Sequence, residues 1–127
     1  MMTDLPTPLR GALMLLIDEE MFLADYIGRG LADAGAQIIG PARTVAEAGA
    51  LLSRLRVAPV AAIVSIRLFE ADGGTVGDGL SRLGVPILLI NKNERCLPAS
   101  LRHDTLTVPF AAYQVVEHMC RLIGAQC

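Results

Sequence analysis

The chain lacks several features that would assign it a class at once. Its three cysteines, Cys96, Cys120 and Cys127, are odd in number and not at metal-ligand spacing. That argues against a disulfide framework and a zinc site. They read as reduced core cysteines and a tail cysteine. No apolar run approaches the ~18 residues a spanning helix needs. Residues 12–17 are apolar but too few for a secretory segment, and three acids follow them directly. The net charge of −2 leaves no footprint for nucleic acid or an anionic membrane. There is no internal repeat and no linker. These absences predict a soluble, cytoplasmic protein without nucleic-acid or membrane partners.

What is present is a core. With 53 % apolar residues in 127, the chain is long enough for one domain and too short for two comfortable ones. Residues 1–10 contain two prolines and no periodicity, and read as a disordered lead-in to a single domain at 11–127. The organising stretch is Val60 to Arg67, almost purely apolar and β-branched at Val60, Ile63 and Val64. It predicts a central strand buried on both faces. Similar runs at 12–17, 37–40, 87–90 and 106–108 predict four more strands.

Helical signals alternate with these runs. Asp18-Glu19-Glu20 suit a helix N-terminus, where unpaired N–H groups and the macrodipole favour negative charge. Leu23, Ile27 and Leu31, with Phe22 and Tyr26 beside them, form an apolar stripe. Thr44 and Glu47 fit a capping box, with Val45, Ala48, Leu52 and Leu55 facing inward. Gly77 and Gly79 weaken a third helix at 78–83 by roughly 1 kcal/mol each relative to Ala. Gly73 to Gly79 read as a flexible connection. A short helix is expected at 98–102, and a long amphipathic one at 111–123 ending at Gly124. Strand and helix alternating with short connections predict an α/β fold, a five-stranded parallel sheet with helices on both faces.

In such a sheet, chemistry gathers at the carboxyl ends of strands. The ends of the first, third and fourth strands would bring Asp18, Glu19, Ser65 and Asn91 around one depression, with Val108 beside them. Two adjacent carboxylates suit a hard cation such as Mg²⁺; they are equally what a helix start would use. The glycines after the third strand lack the lysine of a phosphate loop.

In order and spacing, Leu16-Ile17-Asp18-Glu19-Glu20, Ile39-Gly40-Pro41-Ala42-Arg43-Thr44, Gly84-Val85-Pro86-Ile87 and Val108-Pro109-Phe110 resemble the receiver domain of bacterial response regulators. The resemblance covers about residues 12–123. It implies a doubly wound, flavodoxin-like CheY-type sheet of strand order 2-1-3-4-5. It also implies two-component signalling, with phosphoryl transfer from a histidine kinase to an aspartate and Mg²⁺ held by that aspartate and the acidic pair.

The acidic pair is kept at Asp18 and Glu19, but other positions depart from the pattern. Ser65 stands at the phosphoacceptor aspartate. Asn91 stands at the hydroxyl residue that bonds the phosphoryl group, Val108 at the lysine before proline, and Thr105 at the switch aromatic. A serine hydroxyl needs a base to attack phosphorus, and neither His103 nor His118 lies in the pocket-forming stretches. Without the lysine, developing phosphoryl charge lacks its cation.

The expectation is therefore a non-enzymatic pseudo-receiver acting through protein–protein interaction, with no cofactor and Mg²⁺ weak or vacant at Asp18 and Glu19. The partner would be a kinase, an effector or a second copy. The alternatives are phosphorylation at a non-standard residue (Ser65, Glu70 or Asp72) or a small nucleotide-binding or enzymatic domain. The resemblance places the partner surface at Leu101, Thr105, Thr107, Tyr113, Gln114 and Glu117. Two further expectations concern the pocket. Arg67 or Lys92 would fold over the acidic pair as a substitute cation, and Ser65→Asp would strengthen Mg²⁺ binding by restoring a third oxygen.

Overall fold

The structure, a computed structural model, describes residues 7–92 and 104–124. Five parallel strands form one sheet in the order β2-β1-β3-β4-β5. They are β1 (Leu13–Ile17), β2 (Gln37–Ala42), β3 (Ala61–Ser65), β4 (Ile87–Asn91) and β5 (Asp104–Thr107). This is the doubly wound, flavodoxin-like strand order that the sequence predicts. The helices are α1 (Met21–Asp33), α2 (Val45–Arg54), α3 (Ile66–Glu70), α4 (Thr75–Leu83) and α5 (Ala112–Ile123). The helix expected at 98–102 lies outside the described residues.

Every residue of β3 and β4 is buried, as apolar runs in a two-faced sheet require, and the burial extends to their polar last residues. Alternation divides the core into two layers. Met14, Leu16, Ile63, Leu88 and Ile90 pack with Ala24, Ile27 and Leu31 of α1 and Val115 and Met119 of α5. Leu15, Ile17, Val64, Ile87 and Leu89 pack on the other face with Ala48, Val76 and Leu80. The edge strands are β2 and β5.

Several elements differ from the sequence reading. Residues 7–10 are folded: Leu9 is buried and its N–H donates to the Ala34 carbonyl at 2.9 Å. The strand β2 continues through Pro41 to Ala42, where a turn was expected, because the Asp18 N–H pairs with the Ala42 carbonyl at 2.8 Å. In α2, Thr44 Oγ1 accepts the Glu47 N–H at 3.0 Å, but Glu47 Oε1 reaches back to the Arg43 N–H, at 2.8 Å, one residue before the capping-box partner.

The glycines of α4 prove to be packing residues. A Cβ at Gly77 would lie 2.9 Å from the Phe69 ring, and one at Gly79 3.0 Å from Leu52. Close approach of neighbouring elements thus offsets their poor helix propensity, and the helix begins at Thr75 where a flexible connection was expected. Cys120 is disulfide-bonded, counter to the expected reduced thiol. In α1, Ile27 and Leu31 are buried, but Phe22 is 88 % exposed and Tyr26 45 %, so neither completes the inward stripe. Among the described residues no helix is long and apolar enough to cross a membrane.

Candidate functional site

The carboxyl ends of β1, β3 and β4 do converge. A cavity of about 760 Å³ opens there, lined by Glu19, Glu20, Ser65, Ile66, Arg67, Glu70, Ala71, Ile90, Asn91 and Lys92. Among the described residues, Asp18, Ser65 and Asn91 are the buried polar ones in the core. Each ends an apolar strand or directly follows one, so burial is imposed on it by its neighbours.

The acids sit ahead of α1, not inside it. Asp18 Oδ1 accepts the Glu20 N–H at 2.8 Å, and the first turn of α1 holds no acidic residue. An aspartate bonding the backbone two residues on holds a turn. That turn carries Glu19 and Glu20 over the cavity.

Lys92, the residue after β4, supplies the cation. Its Nζ lies 2.5 Å from Asp18 Oδ1, 3.2 Å from Glu19 Oε2 and 3.6 Å from Glu20 Oε2. Arg67, also expected as a candidate, is exposed on the cavity wall. Lys92 is thus the one of the two expected cations that reaches the acidic pair, and Glu20 is a third partner that was not expected.

Among the described residues, three buried oxygens around the pocket make no hydrogen bond: Asp18 Oδ2, Glu19 Oε1 and Ser65 Oγ. Ser65 Oγ is near enough to Glu19 to favour its charged form without closing a full hydrogen bond. Asn91 Nδ2 reaches Thr107 Oγ1 at the long limit of 3.5 Å, tying β4 to β5. Val108 and Thr105 are half-buried.

Burial pushes the Asp18 carboxyl up from 3.8 and outweighs the opposing Lys92 ammonium and Glu20 N–H. Burial also acts to raise Glu19, but the Ser65 hydroxyl, backbone hydrogen bonding and Lys92 together hold it below 4.5. For Lys92, burial lowers the value, yet the hydrogen bonds and charges of Asp18 and Glu19 raise it above 10.5. The depressed Glu19 adds stability that is present above 4.5 and lost as pH falls. The raised Asp18 acts in the opposite sense, so on the acid side the two offset. Lys92 adds stability that is full below 10.5 and lost as pH rises through its raised value. The expected result is a melting temperature that falls above about pH 10.5 more steeply in the native chain than in Lys92→Met, measured by calorimetry across pH 7 to 11.5.

Of the expected partner surface, Tyr113 and Glu117 are exposed, and Thr105 and Thr107 are half-buried. Gln114 is engaged in its own helix, its Oε1 accepting the Ala111 N–H at 2.8 Å. Leu101 lies outside the described residues. The larger apolar exposure is on α1, at Met21 and Phe22, beside a second cavity of about 640 Å³ lined by residues that include Phe22, Tyr26, Val108 and Phe110. Tyr26 also accepts the Ala112 N–H at 3.0 Å, joining α1 to α5.

No family model and no curated protein matches the chain. Solved structures do. A response regulator receiver protein from Sinorhizobium medicae is 21 % identical, with a TM-score of 0.72, covering 91 % of this chain and 97 % of that one. The receiver domain of a sensor histidine kinase from Pseudomonas aeruginosa, solved with a magnesium ion coordinated in its active site cleft, is 24 % identical with a TM-score of 0.71. It covers 90 % of this chain and 98 % of that one. The response regulator PhyR from Brucella abortus is 23 % identical with a TM-score of 0.68; the match covers 90 % of this chain but 48 % of PhyR. The chain therefore has the fold of two-component receiver domains.

The magnesium ion that this fold implies does not fit the residues as they stand. Lys92 Nζ sits among the carboxylate oxygens that would hold it, and Ser65 offers a neutral hydroxyl in place of a further anionic oxygen. Among the described residues no group of three or more His, Cys, Asp or Glu side chains is arranged for a metal.

Proposed function

We propose that this chain is a pseudo-receiver: a signalling module that does not take a phosphoryl group and acts through contact with another protein. One observation carries the reading. The position opposite the acidic pair, at the end of β3, is a buried serine, and the acidic pair is already ion-paired with Lys92. A carboxylate attacks phosphorus as a ready anion, whereas Ser65 would need a base. Among the described residues no imidazole lines the cavity. The exposed apolar side chains of α1 and Tyr113 of α5 support a role in protein contact.

Acetyl phosphate with Mg²⁺ tests the first half, read by intact mass, and beryllofluoride tests it by amide spectra. The expected result is an unchanged mass and no saturable shift at Ser65 or Asn91. A single phosphoryl adduct would overturn the reading, and peptide mapping would then tell Ser65 from Glu70, which also lines the cavity. Saturable stabilisation by a nucleotide would favour an enzyme or nucleotide binder on the same fold.

A further inference from the structure

We infer that Lys92 is the resident cation of the pocket, and that it makes the fold at this site independent of divalent metal. The inference rests on geometry and does not depend on whether the module is phosphorylated. The ammonium contacts oxygens of Asp18 and Glu19, and Glu20 lies within ion-pair distance. Only 1 % of the Asp18 side chain and 17 % of that of Lys92 are exposed. The charge is therefore held in a partly dry setting, where the ammonium occupies the shared oxygens and weakens their pull on a second cation.

The attachment point matters as much as the charge. Lys92 follows Asn91 at the end of β4, and Asp18 follows Ile17 at the end of β1. The strand β3 lies between them. The side chain thus spans the carboxyl edge of three strands and closes by itself a link that a dissociable ion would otherwise close. Because the cation is covalently tethered, its local concentration is fixed and does not follow the Mg²⁺ level of the medium.

The unpartnered Asp18 Oδ2 and Glu19 Oε1 show what remains behind the ammonium. Asp18 is buried and Glu19, half-buried, lines the cavity, so removing Lys92 would leave both acids without their cation. Mg²⁺ and Lys92 are then competitors for one set of oxygens. Restoring the third carboxylate alone does not settle that competition in favour of the metal. This revises the expectation from sequence: Ser65→Asp by itself should leave Mg²⁺ binding weak, because the ammonium is still in place.

Titration with MgCl₂ alone, followed by melting temperature and by the amide spectrum, tests the inference. For the native chain the expected result is no saturable shift of the Asp18, Glu19 or Glu20 amides at millimolar Mg²⁺. Lys92→Met should melt lower and regain several degrees on adding Mg²⁺, and Ser65→Asp combined with Lys92→Met should bind at least tenfold more tightly than Ser65→Asp. Two results would overturn it: saturable binding to the native chain, or a Ser65→Asp variant that binds as well as the double variant. If Lys92→Met does not fold, the native titration and the comparison with Lys92→Gln still decide.

Discussion

Gly40→Val is expected to cost on the order of 4 kcal/mol, the sum of a forbidden backbone conformation and an overlap that cannot relax cheaply. Gly40 has φ +111°, outside the range that side chains bearing a Cβ tolerate. A Cβ there would lie 2.6 Å from the Leu16 carbonyl oxygen and 3.0 Å from the Ala42 nitrogen. Both neighbours are backbone. The place is a bulge, since Leu15 pairs with Ile39 but Ile17 pairs with Ala42, one residue more on β2 than on β1. Moving Leu16 would drag Ile17 and the turn at Asp18 with it. Urea unfolding should show a large drop in midpoint with the slope unchanged, and Lys92 should lose its fixed approach to Asp18. A cost below about 1 kcal/mol would mean that β1 yields freely.

Ile63→Ala is expected to cost about 3 to 4 kcal/mol, within the range for large-to-small core changes. Ile63 is 0 % exposed in the middle of the central strand, in the layer under α1 and α5. Strands on both sides hold its backbone, through Leu16 and Leu88, so the cavity has little room to collapse. For a domain of this size the melting temperature should fall by roughly 10 °C or more. Ile63→Val, which removes one methylene, should cost about 1 kcal/mol. If the alanine variant melted no lower than the valine variant, packing around β3 would be looser than described.

The architecture was legible because it depends on strong, local signals. Apolar runs with a hydrophobic neighbour on both faces have one good solution, and the five runs fell in that pattern. The convergence of Asp18, Ser65 and Asn91 followed from strand ends alone. What sequence could not show was where two packed elements touch. Gly77 and Gly79 looked like flexibility because Phe69 and Leu52, which they face, lie on other helices. Phe22 and Tyr26 looked like core because hydrophobicity gives a period but not its phase, and the phase of α1 is set by Ala24, Ile27 and Leu31. The short helix α3 was hidden in five residues, too few for periodicity. The cation over the acidic pair was open between Arg67 and Lys92. What decides it is that α3 turns Arg67 outward while β4 delivers Lys92 directly.

The two edge strands carry a further consequence. A sheet edge offers a row of amide donors and carbonyl acceptors that another chain can extend. In β2 that row is interrupted by Pro41, which has no N–H, and by the bulge at Gly40. In β5 it is only four residues long and begins with exposed Asp104. Neither edge is a good template for strand addition, which disfavours sheet-to-sheet growth. Any association with a second copy or another protein is thereby steered from backbone pairing, which is indifferent to sequence, to side-chain recognition on the helices, where partners can be told apart.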